Sequence, residues 1–445
     1  MKNRTQNTVT PLSRRFFIKT SAGLAAAAGL PKWFLERESV AAEPKLGPND
    51  KPAVALVGCG GQGRGDARSA ARFGQVVAVC DVDKHNLAEG KKMFPDAKEY
   101  SDFRQVMERD DIHAIVCGTV DHWHTMVSMA AMGSGKDIYC EKPLTLTIDE
   151  GKRLVKTMRD TKRILQTGSQ QRSDRRFRLA CELVRNGRIG KLKHIDVWLP
   201  AGPRRGPFAA SQPPEELNWD VWMGQTPKVE YVKERCHGSF RYWWEYSGGT
   251  MTDWGAHHND IALWGLGLDR SGPVSIEGKE LVEMIPGGFT ASAEYEVKFT
   301  YANGVTQTTR STMGDTPYGG RQGEGQRNGV RFTGADGWIW VTRGDIGASK
   351  PELLEDKPGA GSIQLYESSD HMKNFFDCVH SRKQPICDAE IGHRSASVCH
   401  LGVIAVRLGR KLQWDPEKEK FVNDSDANHW LKREMRDGYG YDFIG

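Results

Sequence analysis

Two short stretches of the chain are apolar without interruption: Ala53-Val54-Ala55-Leu56-Val57 and Val76-Val77-Ala78-Val79-Cys80. Such runs predict strands buried on both faces. A glycine-rich turn and a stretch of helical spacing, about Arg64 to Phe73, lie between them. The alternation continues through Ala114–Cys117 and Asp137–Cys140. Strands that alternate with helices predict a parallel, doubly wound sheet, an α/β unit that ends near residue 165. Beyond it the period changes to two. Ala293–Phe299 and Val305–Ser311 alternate as longer, half-exposed antiparallel strands do. One amphipathic helix, about Gly249 to Leu266, sits among them, and helices return at Asp370–Ser381 and His393–Leu408. The pattern therefore predicts a parallel α/β domain over 42–165. An α+β domain on a large, open, mixed or antiparallel sheet follows over 166–445. No internal repeat is present.

Charge changes the picture only at the N-terminus. The formal net charge is +5. Residues 1–41 hold seven of the 62 lysines and arginines and two of the 57 acids, which leaves 55 of each sign in the rest. The remainder carries no basic excess of the kind that nucleic acid or an anionic membrane surface would select. The N-terminal segment reads as a twin-arginine export signal over 1–41. Ser13-Arg14-Arg15-Phe16-Phe17-Ile18-Lys19 precedes an alanine-rich stretch (Gly23 to Leu30) and the small residues of Ser39-Val40-Ala41. The expected location is the periplasm or another exported compartment. No apolar stretch reaches the ~20 residues that span a bilayer, so no membrane insertion is expected. Cysteines such as Cys80, Cys117 and Cys140 fall in or at the end of apolar runs and read as core residues. No pair has metal-ligand spacing.

Gly58-Cys59-Gly60-Gly61-Gln62-Gly63 is G-x-G-x-x-G, placed directly after a buried strand and opening a helix. The glycines allow a tight turn and close approach to a pyrophosphate. The helix N-terminus offers unpaired N–H groups. Asp81 ends the second strand, where a carboxylate accepts from the adenosine ribose hydroxyls and repels a 2′-phosphate. This favours NAD over NADP, with Lys84 and His85 nearby to soften the preference. Gly58, Gly60, Gln62, Gly63 and Asp81 are the candidate cofactor residues of the turn, in a Rossmann domain.

Three further motifs carry chemistry. Glu141-Lys142-Pro143 follows the strand Asp137–Cys140. Thr119-Val120-Asp121-His122-Trp123-His124 follows the fourth strand. Gly248-Gly249-Thr250-Met251-Thr252-Asp253-Trp254-Gly255-Ala256-His257-His258-Asn259-Asp260 opens the amphipathic helix. With the cofactor turn, and in this order, they resemble the glucose–fructose oxidoreductase / inositol dehydrogenase (Gfo/Idh/MocA) family over about residues 52–415. The resemblance implies catalysis by Lys142, Asp253 and His257. It also implies that Thr119, His122, His124, Glu141 and Lys142 help to hold the nicotinamide nucleotide. Some of the family are exported by the twin-arginine route. Many pack the open sheet face against another copy, so a homodimer or homotetramer is expected.

The residues agree in chemical type. Oxidation of a carbinol needs a base for the hydroxyl proton and a cation near the developing oxyanion. Lys142 lies at the carboxyl edge of the parallel sheet, where ligands bind. Asp253 and His257 are four apart and share a helix face, so Asp253 is expected to orient the ring or hold its charge. A zinc reading fails for want of a third ligand on that face, so no metal is expected. Residues 200–247 are rich in aromatics and arginines. Arg172, Trp222, Tyr242 and Asp260 join Lys142, Asp253 and His257 as candidate substrate contacts, and Arg321–Asn328 reads as a loop over the site.

An exported enzyme meets no free NAD pool, so the cofactor is expected to be tightly bound. The leading expectation is hydride transfer to or from a sugar or cyclitol hydroxyl. One alternative is a redox-neutral, NAD-using glycosidase or lyase that passes through a transient keto-sugar. The other is a non-catalytic, NAD-binding sugar sensor.

Overall fold

The predicted strands form the predicted parallel sheet. In the computed structural model β1 (Ala53–Val57), β2 (Gln75–Cys80), β3 (Lys98–Tyr100), β4 (Ala114–Cys117), β5 (Asp137–Cys140) and β6 (Leu165–Thr167) form one parallel sheet, ordered β3-β2-β1-β4-β5-β6. β3 and β6, three residues each, are too short and too polar to show as apolar runs. The structure describes residues 30–31, 33–34, 51–313, 328–356, 359 and 361–444. The twin-arginine motif and all but Asn328 of the expected loop Arg321–Asn328 lie outside the described residues.

The second unit is a nine-stranded mixed sheet. β7 (Leu192–Pro200), β8 (Ser275–Glu280), β9 (Tyr295–Thr300), β10 (Thr306–Thr312), β11 (Gly329–Gly334), β12 (Trp338–Thr342), β13 (Asp345–Ala348), β14 (Leu412–Asp415) and β15 (Lys420–Phe421) run in the order β13-β12-β11-β7-β10-β9-β8-β14-β15. Only β7 and β10 are parallel neighbours; the other pairs are antiparallel. Period-two patterning puts Tyr295, Val297 and Phe299 of β9 inward, on the side of the helix Ala389–Leu408.

Two expectations change. The helix Gly255–Leu266 is not amphipathic: every residue from Gly255 to Gly265 is buried, because other helices and the sheet enclose it. The helix His371–Ser381, distant in sequence from the parallel sheet, returns to it. Phe375 and Phe376 pack with Val54, Leu56 and Tyr139 in the core of the first unit. Phe34, inside the expected signal segment, is fully buried in the core of the second unit, under the Arg178 guanidinium at 4.9 Å. Cleavage after Ala41 would leave that space to be closed. Among the described residues no helix is long and apolar enough to cross a membrane. The nine cysteines are all buried and free.

The expected substrate contacts Arg172 and Asp260 belong to this core. Arg172 is 1% exposed and Asp260 0%. Arg172 Nε and Nη2 each donate to Asp260 at 2.7 Å. Ser395 Oγ donates to the same carboxylate at 2.5 Å. The Arg172 guanidinium also lies over the Trp264 ring and reaches Asp269 at 3.2 Å. Arg172, Asp260, Ser395 and Trp264 are buried and Asp269 is 23% exposed at the rim, so neither the Arg172 nor the Asp260 charge faces a ligand. Their polarity suggested a site, whereas their mutual satisfaction makes them a clamp between the segment after β6 and the helix Gly255–Leu266. Removing one partner of such a pair costs about 3–5 kcal/mol. Arg172→Ala should therefore lower the urea midpoint strongly and leave the KM of the folded fraction unchanged. A raised KM at unchanged stability would restore Arg172 to the substrate site.

Candidate active site and cofactor cleft

At the carboxyl edge of the parallel sheet lies a cleft of about 630 Å³, lined by the turn after β1 and by Asp81, Thr119, His124, Glu141 and Lys142 among others. Three glycines shape its floor. Gly58 has φ +90°, and a Cβ there would meet Thr119 N at 2.5 Å. A Cβ on Gly63 would meet Gly58 O at 2.0 Å, and one on Gly118 would meet Gly63 Cα at 2.4 Å. Turn, helix and β4 thus approach backbone to backbone. Gly60 and Gly61 are different: a Cβ on either would meet nothing within 4 Å, and both line the cleft. Gly63 is therefore a packing residue, not a cleft residue. Gly61, which the motif allows but does not require, takes a place beside the ligand.

The helix Gly61–Ala70 starts at Gly60 with no side chain capping it. Its first N–H groups and their dipole end are left for an anion. Asp81 lines the cleft and accepts from Cys59 N at 2.7 Å and Asp83 N at 2.9 Å. Burial pushes its carboxyl up to about 6, against the pull of those two N–H groups. Neither Lys84 nor His85 lines the cleft. Arg104 does, but its guanidinium is bound by Asp102, at 3.0 Å from Nε and 2.6 Å from Nη2. An open glycine floor, an uncapped helix end and a ribose acceptor with no uncommitted cation beside it fit a dinucleotide without a 2′-phosphate.

A second cavity of about 690 Å³ adjoins the first. Gln62, Glu141, Lys142 and Arg241 line both. Lys142 extends from the end of β5 and donates to the Asp253 carboxylate. Its Nζ is also 3.3 Å from Asp253 O. Arg241 Nε donates to the same carboxylate oxygen at 3.2 Å. Burial alone would raise the Asp253 carboxyl, but the charges of Lys142 and Arg241 outweigh it and hold the group below its ordinary value. Asp253 therefore does not orient His257. Two cations draw the carboxylate more strongly than a neutral ring does, and no hydrogen bond joins the two among the described residues. His257 lines the cavity. Its Nδ1 is buried without a partner among the described residues, which leaves Nε2 to face the pocket. Burial, then the charges of Lys142 and Arg343, push its pKa far down, so the ring is neutral. His258 turns away, with Nε2 at 2.9 Å from Asn328 Oδ1.

Glu141 sits beneath Lys142, accepting from Gln170 Nε2 at 2.8 Å and from Lys142 N at 3.2 Å. Burial raises its carboxyl against the opposing charge of Lys142. Tyr242 lines the second cavity as expected. Trp222 lines the cofactor cleft instead: it is 5% exposed and stacks on Trp219 at 4.9 Å within an aromatic cluster. Its carbonyl holds His122 Nε2 at 2.8 Å, which keeps His122 fully buried and off the cleft wall. His124 does line the cleft, with Nδ1 at 2.7 Å from Pro143 O. Sequence reasoning missed Trp254, Asp174 and Arg343, which complete the second cavity. Arg343 sits in the turn between β12 and β13, where nothing local marks it. Among the described residues no group of three or more His, Cys, Asp or Glu is placed to hold a metal.

Known proteins share this organisation. A family described as "Oxidoreductase family, NAD-binding Rossmann fold" matches residues 53–169, and one described as "Oxidoreductase family, C-terminal alpha/beta domain" matches residues 204–441. The chain is 29% identical over 205 residues to a glycosyl hydrolase family 109 protein of Shewanella pealeana, covering 41% of this chain and 45% of that one. It thus spans less than half the length of that relative. It is 29% identical over 326 residues to a myo-inositol 2-dehydrogenase of Thermotoga maritima, covering 71% of this chain and 84% of that one. Among solved structures, the WlbA dehydrogenase from Bordetella pertussis, in complex with NADH and UDP-GlcNAcA, superposes with a TM-score of 0.60 at 18% identity. That match covers 82% of this chain and 99% of the other. Levoglucosan dehydrogenase, in complex with NADH and L-sorbose, superposes at 0.59 with 17% identity, covering 82% and 98%. At these identities the structures establish the fold.

On this fit, Asp81 should make cofactor binding depend on pH. Below about 6 it takes up a proton and loses acceptor capacity. NAD affinity, followed by tryptophan fluorescence, should therefore weaken as pH falls through 6, by up to about tenfold per unit. Asp81→Asn should bind more weakly and lose that dependence; a profile unchanged by the substitution would remove Asp81 from the ribose site. Gly63→Ala should weaken NAD and cost about 1–3 kcal/mol of stability through overpacking.

Proposed function

The chain belongs to the Gfo/Idh/MocA oxidoreductase family, and on that premise we propose that it moves hydride between NAD and a hydroxyl-bearing carbon of a sugar or cyclitol. The observation that carries this reading is the convergence of Lys142, Asp253 and neutral His257 on one cavity that opens onto the glycine-floored cleft. The bound nicotinamide supplies the hydride acceptor, or the donor in reverse. The protein supplies the rest. The Lys142 ammonium, fixed by Asp253, stands where a substrate oxygen gains negative charge. His257, neutral and with Nε2 open, takes the hydroxyl proton. Asp253 and Arg241 hold Lys142 in place, and Gln170 with Glu141 supports it from below. Tyr242, Trp254 and Arg343 offer the aromatic faces and forked donors that recognise polyhydroxylated rings.

Export by the twin-arginine route is part of the proposal, resting on the motif at residues 13–19. It entails a cofactor carried out with the folded chain and held through turnover. The family's habit of pairing its open sheet faces supports a homodimer or homotetramer. A second reading has one specific support, the similarity to glycosyl hydrolase family 109 proteins. In it, oxidation of a glycoside is transient, the activated bond breaks, and the sugar is reduced again with no net redox change.

The test is to denature the purified protein and identify any released nucleotide by mass. The intact protein is then mixed with free sugars, cyclitols and glycosides while the reduced-nicotinamide absorbance is followed. Reduction by a free sugar or cyclitol supports the first reading. Glycoside cleavage without net reduction selects the second, and absence of any nucleotide binding sinks both. His257→Ala and Lys142→Met should each lower kcat by about 10²–10⁴-fold while NAD still binds. Full activity in His257→Ala would take the base assignment away from it.

A further inference from the structure

One end of the cofactor cleft is closed by four aromatic rings, and two of them come from the C-terminal part of the chain. Tyr439 and Phe443 line the cleft together with Phe103 and Trp123. Phe443 stacks on Tyr439 at 4.8 Å, lies 5.9 Å from Trp123 and is 6.4 Å from Phe103. The Arg104 guanidinium, fixed by Asp102, covers the Phe443 ring at 4.2 Å. Tyr439 and Phe443 are only half-buried in this cluster, and both face the cleft.

The segment is latched where it crosses. Arg436 Nη2 donates to Asp220 O at 2.7 Å, its Nε to Gly224 O at 2.9 Å, and its backbone N–H to Gln225 O at 3.0 Å. Tyr439 Oη donates to Asp220 Oδ2 at 2.9 Å. This end of the cleft is the Asp81 end: Val82, Ser101 and Asp102 line it too. A nucleotide whose pyrophosphate meets the helix end at Gly60 and whose ribose meets Asp81 has its base here.

We propose that residues Arg436 to Ile444 form the adenine wall of the cofactor site, with Tyr439 and Phe443 as base contacts and Arg436–Asp220 as the latch that keeps them closed. The inference rests on the NAD reading above and adds to it a physical means of retention. Both faces of each ring are already taken, those of Phe443 by Tyr439 and the Arg104 guanidinium and those of Tyr439 by Phe443 and the Arg436 guanidinium at 4.3 Å, so the base meets ring edges, an apolar contact that does not read its hydrogen-bonding pattern. A base held between β-sheet loops and a latched strap leaves only after the latch opens, so the strap acts on the off-rate.

The experiment compares wild type with Tyr439→Ala/Phe443→Ala and, separately, Arg436→Ala. NADH release is followed by fluorescence after a chase with excess NAD, and the affinities of ADP-ribose and of nicotinamide mononucleotide are measured. The double variant should release NADH about tenfold faster or more and bind ADP-ribose correspondingly more weakly. Its affinity for nicotinamide mononucleotide, which lacks the adenosine half, should not move. Arg436→Ala, with both rings present, should also release NADH faster. Equal weakening of both half-ligands, or no change in either, overturns the proposal. A wild type that binds neither NADH nor ADP-ribose overturns the NAD reading itself. If the double variant lacks a cooperative melt, Phe443→Leu, which keeps apolar volume, carries the same comparison.

Discussion

The Asp253 carboxylate organises the site. It receives Lys142 from the end of β5, 111 residues away, and Arg241 from the aromatic-rich segment just before it, so the two units meet at one anion. The lysine and aspartate side chains are 11% and 18% exposed. At that burial each charge is costly without its partner, and the mutual attraction offsets desolvation only while the geometry holds. The interaction is therefore a constraint on the whole molecule. The first unit must present the edge of β5, and the second the turn Thr250–Asp253, within hydrogen-bond reach. The cofactor cleft and the second cavity share Lys142 because of it.

Backbone proximity is the second constraint. Gly58, Gly63 and Gly118 touch where any Cβ would collide, so the helix Gly61–Ala70 can sit close to β1 and β4 and aim its N-terminus across the sheet edge. The same logic recurs at Gly168, where a Cβ would meet Glu141 Oε1 at 2.4 Å. Glu141 can reach Gln170 and sit beneath Lys142 only because that backbone carries no side chain. These glycines act through what they leave out. The uncapped end of the helix and the placement of Lys142 both follow.

What could be read from the sequence was what is local. Continuous apolar runs marked the strands of the parallel sheet, since burial on both faces writes itself into consecutive residues. The glycine turn and Asp81 were visible by type and spacing around buried strands, and Lys142, Asp253 and His257 through motifs that resemble those of the family; the structure brings them to two adjoining cavities. Burial of polar groups was not visible. Arg172 and Asp260 looked like ligands for a substrate and proved to be ligands for each other. His122 looked like a site residue and is core, held by the carbonyl of Trp222, which lines the cofactor cleft and not the second cavity. Four-residue spacing suggested that Asp253 serves His257, but spacing cannot weigh a neutral ring against two cations that arrive from elsewhere. Arg343, Tyr439 and Phe443 come from segments far from every motif, where no periodicity points to them. Their roles exist only once the chain has closed on itself.

On the proposed assignment, the charges in the second cavity bear on how His257 would act. Lys142, Arg241 and Arg343 line it with Asp253, Glu141 and Asp174, and the Asp253 charge is shared by two of the cations. The charges of Lys142 and Arg343 would favour a substrate oxygen that gains negative charge, and they disfavour a proton on His257, whose pKa they hold down along with burial. The two effects have one source and oppose each other. In the proposed mechanism a resting His257 is thus kept in the form that can accept a proton, and it would accept one only when a substrate oxygen has brought enough negative charge beside it to offset Lys142. Proton acceptance would then be coupled to occupancy: without a substrate oxygen in place, the field proposed to activate the hydroxyl is the field that keeps the ring bare.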